Sequence, residues 1–176
     1  MTTDDMTQDQ DGRSAAHAGP AAGGFNQFIS FAIGDDQYGV DIMAVREIKG
    51  WSGITHLPKQ PDYVRGVLNL RGVMVPIIDL RCRFGQGMTE ATAMHIVIIV
   101  QIDGMQVGLL GDRVLDIVSV ELAQVQPVPR VAQASRVDFL SGLVTVNGGM
   151  IALIDLPRLL AVSPAGDQRP GDRAAA

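Results

Sequence analysis

The stretch Tyr63–Leu80, YVRGVLNLRGVMVPIIDL, decides how this chain is read, because the chain writes it twice. From Phe139 to Leu156 it runs FLSGLVTVNGGMIALIDL. Superposed without a gap, Gly66 meets Gly142, Gly72 meets Gly148, Met74 meets Met150, and Ile78-Asp79-Leu80 meets Ile154-Asp155-Leu156. Each copy reads as two short strands around a tight two-residue turn. The turns differ: Asn147-Gly148 in the second copy, Arg71-Gly72 in the first. A type I′ turn needs positive φ at both central residues, which favours Asn-Gly. If the first copy keeps that turn, Arg71 is left-handed at a cost of about 1–3 kcal/mol. The alternative is a different turn type with Arg71 as a solvated tip.

The repeat extends outward. FISFAIGDDQYGVDI opens the ordered body, with Ile29, Phe31 and Ile33 alternating before a polar turn, then Tyr38, Val40 and Ile42. HIVIIVQIDGMQVGLL repeats this hairpin pattern around Asp103-Gly104, a strong turn signal. Aligning Gly39 with Gly108 places Val45 on Val114, Glu47 on Asp116 and Ile48 on Ile117. The unit is a hairpin, a connecting strand, a proline-containing link and a second hairpin. Each copy ends with an aspartate, Asp79 or Asp155, positioned as the N-cap of a short helix. The runs Ile96–Val100 and Val73–Ile78 read as strands buried on both faces. Short strands, frequent turns and no long amphipathic helix predict an all-β fold of two small barrels packed together.

Composition sets bounds. The chain has 176 residues, 47% of them apolar and 19% charged, with a formal net charge of −5. Its two lysines, Lys49 and Lys59, give no basic face for a phosphate backbone, so nucleic acid is not an expected partner. A single cysteine, Cys82, excludes an intrachain disulfide and suits a reducing compartment. The N-terminus has no basic-then-apolar leader, and no run is long enough to span a bilayer, so cytoplasmic residence is expected. Residues 1–24 and 163–176 are polar, Gly/Ala-rich or Pro-rich, and are expected to be disordered tails around a body of residues 25–162.

No catalytic constellation emerges. His17, His56 and His95 lack metal-ligand spacing, and no phosphate loop or nucleophile elbow is present. Cys82 lies between Arg81 and Arg83, whose charges would lower a thiol pKa, but it has no histidine beside it. We expect no enzyme activity, metal or cofactor.

With YGVDIMAVREI, YVRGVLNLRG, VPIIDLRCRFG and VGLLGDRVLDI in order, residues 25–162 closely resemble the CheW family of bacterial chemotaxis adaptors, related to the regulatory domain of the CheA histidine kinase. The resemblance implies two intertwined SH3-like five-stranded barrels with short helical segments. It implies a non-enzymatic scaffold that couples chemoreceptor tips to CheA, recruited to membrane-associated arrays without inserting into the membrane. Further copies of itself in rings are implied partners. By position, Arg71 inherits a receptor-binding role, with Val45, Gly66, Gly108 and Ile117 on the same surface. Ile42, Glu47 and Ile48 are the kinase-facing candidates, on the strand edge after the first hairpin. Plain alternatives stand beside these roles: core packing for Val45 and Ile117, close backbone approach for Gly66 and Gly108, and a solvated Glu47 between buried isoleucines. Two other readings stay open for the whole chain, an adaptor of another chemosensory pathway such as surface motility, and a small-molecule-binding β-barrel or groove enzyme.

Overall fold

The computed structural model describes residues 24–129 and 138–161, so the two tails expected to be disordered lie, apart from Gly24, outside the described residues. Ten strands form two five-stranded sheets. In the first copy these are β1 (Phe25–Ile33), β2 (Asp36–Asp41), β3 (Val45–Gly50), β4 (Val64–Leu70) and β5 (Val73–Asp79), followed by α1 (Leu80–Arg83). The second copy supplies β6 (Ile96–Ile102), β7 (Met105–Gly111), β8 (Arg113–Glu121), β9 (Leu140–Val146) and β10 (Gly149–Ile154), followed by α2 (Leu156–Ala161).

The copies exchange strands. The first barrel has the order β8-β1-β2-β10-β9, and the second has β3-β6-β7-β5-β4. Each therefore takes its opening hairpin from one copy and its other three strands from the other copy. Each hairpin meets the other copy through an antiparallel pairing on one side, β1 with β8 and β6 with β3, and a parallel pairing on the other, β2 with β10 and β7 with β5. Neither copy closes a barrel alone, which makes the expected intertwining a property of the pairing.

The largest core cluster lies where the copies meet. Phe31, Ile33, Tyr38 and Val40 from the first hairpin pack with Ile98, Val100, Val107 and Leu109 from its repeat, and with Phe84, Phe139 and Leu159. Tyr38 stacks on Phe84 at 4.8 Å between ring centroids. Each such side chain is worth about 1.5–3 kcal/mol when buried, so this shared cluster stabilises both barrels at once. Strand β6 is buried on both faces as expected: Ile98 and Val100 enter the shared cluster, while Val97 and Ile99 enter the interior of the second barrel. Strand β5 is not buried throughout. Val73 and Met74 project into solvent, because they stand at the hairpin tip beyond the body of the sheet.

The two capping aspartates behave alike locally. Asp79 accepts from Cys82 N–H at 3.2 Å, and Asp155 accepts from Arg158 N–H at 3.0 Å. Each also donates its own backbone N–H to the repeat-equivalent residue, Asp79 to Tyr63 O and Asp155 to Phe139 O, both at 2.7 Å. The Arg83 guanidinium sits between those two residues, 4.4 Å from the Tyr63 ring and 4.1 Å from that of Phe139. It is a cation held between the matching aromatics of both copies.

Candidate protein-docking surface

Arg71 has φ +52° and Gly72 +86°, matching +50° at Asn147 and +78° at Gly148. The same left-handed turn is used twice, and the arginine bears the strain that asparagine avoids. The turn is held locally by Gly72 N–H donating to Asn69 Oδ1 at 2.8 Å. The Arg71 side chain, 74% exposed, folds toward edge strand β3 and pairs its guanidinium with Glu47. Lys49 Nζ lies 3.7 Å from the same carboxylate. The hydrogen bond from Arg71 is the main cause that holds the Glu47 carboxyl below its ordinary range, against a smaller opposing effect of desolvation.

This pair joins candidates from both expected interfaces. Around it the hairpin tip exposes Val73 and Met74, and β3 exposes Ile48 at 40%. In sequence these exposed apolar residues adjoin the pair, Ile48 next to Glu47 and Val73 two residues beyond Arg71. Glu47 is thus not a solvated acid between buried isoleucines. Ile42 does not lie on the strand edge: it opens a single 3-10 turn, Ile42–Ala44, before β3, because the Asp41 carboxylate captures Met43 N–H at 2.8 Å and turns the chain. Val45 starts β3 and packs half-buried against the shared core.

The other candidates are placed differently. Gly66 is buried in β4, at a bulge where a Cβ would stand 2.2 Å from Thr55 O. The segment before β4 crosses there, with Thr55 and Val67 exchanging backbone hydrogen bonds of 2.9 and 2.8 Å. Gly108 is buried in β7, where a Cβ would meet Ile77 Cδ1 at 2.4 Å and Val97 Cγ1 at 2.7 Å. Neither glycine presents a surface of its own. Ile117, 54% exposed, lies on β8, the edge of the first barrel, as the repeat partner of Ile48. There the equivalent acid, Asp116, accepts from Ile117 N–H at 2.7 Å. Asn147 occupies the place of Arg71, so the ion pair belongs to the second barrel alone. Val73 and Met74 were legible as tip residues only once the strand's burial ended short of the turn.

The groups considered for chemistry are committed elsewhere. The Cys82 thiol is pushed up, first by burial and then by the Asp79 charge, which outweigh Arg65 and Arg83. Asp79 is fully buried and accepts from Thr89 N–H at 2.8 Å, Thr89 Oγ1 at 2.7 Å and Arg65 Nη1 at 3.1 Å. Among the described residues no group of three or more His, Cys, Asp and Glu could hold a metal, and no helix is long and apolar enough to cross a membrane.

The profile of the CheW-like domain matches residues 27–163. Chemotaxis protein CheW of Rhizobium meliloti is 42% identical over 133 residues, covering 76% of this chain and 86% of that protein. Protein FrzA of Myxococcus xanthus is 29% identical over 137 residues, covering 76% and 84%. Among solved structures, the scaffolding protein TtCheW from Thermoanaerobacter tengcongensis superposes with a TM-score of 0.72 at 32% identity, covering 78% of this chain and 93% of that one.

Proposed function

This chain belongs to the CheW-like domain family, and from that premise we propose that it is a non-catalytic cytoplasmic adaptor coupling chemoreceptors to the CheA kinase. The observation that carries the reading is the left-handed Arg71 held by Glu47, with Ile48, Val73 and Met74 exposed on the same two elements. A strained residue retained at a tip marks a functional position. Its planar fork of donors suits carboxylates and helix-end carbonyls, which a helical receptor tip offers. Val45 and Ile117 extend this receptor-facing surface, while Gly66 and Gly108 set the backbone beneath it. Ile48 and Glu47, with Ile42 at the turn before them, face the kinase's regulatory domain. Further copies of the chain take the same kind of place in rings.

Calorimetric titration with the regulatory domain of CheA from the same cell tests the reading. Saturable one-to-one binding supports it, and no binding between two folded proteins refutes it. The relative named FrzA favours one second reading, an adaptor of the same build serving a different chemosensory pathway. Failure with the chemotaxis kinase, but binding to another pathway's kinase, selects that reading.

A further inference from the structure

One carboxylate fastens the two barrels where the chain crosses between them. Asp112 is the single residue between β7 of the second barrel and β8 of the first. Its N–H donates to Ala32 O at 3.0 Å and its Oδ2 accepts from Gly34 N–H at 2.7 Å, so both bonds go to the first hairpin. The same Oδ2 accepts from Arg81 Nη2 of α1 at 2.7 Å. Oδ1 is buried without a hydrogen-bond partner. His95 Nε2, just before β6, stands 3.6 Å from it, too far for a hydrogen bond.

The other ring nitrogen of His95 is committed. Nδ1 accepts from Thr92 N–H at 3.0 Å, with Thr92 Oγ1 at 3.1 Å. A backbone N–H only donates, so the neutral ring carries its proton on Nε2, on the side of Asp112. A second proton has to enter at Nδ1, where Thr92 N–H already points. Those two donors exclude each other. The threonine hydroxyl can accept from Nδ1 instead, since its oxygen has two lone pairs and takes only Met94 N–H, at 3.3 Å, with the other. Burial opposes the charge on Asp112, but Gly34 N–H and the Arg81 guanidinium outweigh it and hold that carboxyl below its usual range, so it stays ionised as the ring titrates. The other charges on the surrounding elements are engaged or exposed. Asp36 of the first hairpin accepts from Gln86 at 3.4 Å, Glu47 and Lys49 of β3 bind each other, and Glu90 and Arg113 are exposed.

We propose that His95 is a proton-operated clasp between the barrels: when protonated, the ring exchanges Thr92 N–H for the Thr92 hydroxyl and closes the gap to Asp112 Oδ1. One proton moves from solvent to Nδ1, and no covalent bond breaks. With the ring neutral, Arg81 supplies the second barrel's one hydrogen bond to this carboxylate among the described residues. With the ring charged, β6 is tied to it as well. Strand β3 pairs with β6 from Gly50 on Ile96, and β8 starts at the residue after Asp112, so both barrel edges are anchored at the clasp. The inference does not rest on the adaptor reading, and failure of the kinase titration leaves it standing.

The test follows the full chain, isotope-labelled, by NMR from about pH 8 to about pH 5, the span in which histidine changes charge. The neutral ring should show its proton on Nε2, and the Thr92 amide should shift in step with the ring. Corrected for the intrinsic effect of pH, exchange of the Gly34 and Asp112 amides should slow about tenfold on protonation, while that of Thr92 quickens. In His95→Gln, which has no titrating ring, these steps should vanish. A neutral ring with its proton on Nδ1, a ring that does not titrate in that span, or a Thr92 amide indifferent to it would each overturn the proposal. So would unchanged protection of Gly34 and Asp112, or the same steps in His95→Gln.

Discussion

Arg71 and Glu47 form an ion pair that ties the tip of the β4–β5 hairpin to edge strand β3, closing one side of the second barrel. The arginine proposed to face the receptor is therefore positioned by an acid on the strand proposed to face the kinase. A partner helix that takes the guanidinium for itself releases Glu47, which makes the pair a physical link between the two proposed surfaces.

Replacing Arg71 with asparagine removes the left-handed strain, about 1–3 kcal/mol, and an exposed ion pair worth about 0–1 kcal/mol. The variant should stay folded with equal or slightly higher stability in urea denaturation, and lose binding to receptor tips. Unfolding, or normal coupling in an array assay, would sink the assignment of Arg71.

The Glu47 carboxyl titrates below the ordinary glutamate range because Arg71 donates to it. A depressed folded-state pKa means that the pair's stabilisation is present above the unfolded value and is lost as pH falls through the lowered one. In Arg71→Asn that stabilisation is absent, and Glu47 should titrate at higher pH. Carbon-detected titration of the Glu47 carboxyl reads this directly, and identical curves in the two proteins would refute the pairing in solution.

Asp79 and Asp155 occupy equivalent caps but should differ when removed. Asp155→Ala forfeits a cap, about 0.5–2 kcal/mol. Asp79→Ala also strands the half-buried Arg65 and the buried Thr89 donors, which places it toward the range of a broken buried pair, about 3–5 kcal/mol. Chemical denaturation of both variants measures the gap, and equal losses would contradict the asymmetry of the two barrels.

Gly66→Ala should be severely destabilising, because its Cβ would strike the Thr55 carbonyl, backbone that cannot step aside, at a φ of +143°. Gly108→Ala meets the ends of Ile77 and Val97 side chains and should cost about 1–3 kcal/mol as overpacking. Coupling defects in either variant should scale with lost stability. A fully stable Gly66→Ala that still fails to bind receptor would show direct contact instead.

The repeat, the turns, the two capping aspartates and the all-β class were legible in the order of residues, because glycines at turns and period-two burial are local properties. Which surface each residue joins was not. Glu47 and Arg71 are 24 positions apart and meet only because β3 and the β4–β5 tip border the same barrel. Ile42 read as a strand residue until the Asp41 side chain turned the chain beneath it. Neither the exchange of strands between copies nor the difference between a covered Asp79 and an open Asp155 is written in either repeat. The repeats encode nearly the same local preferences, and only the long-range pairing determines which hairpin each strand joins.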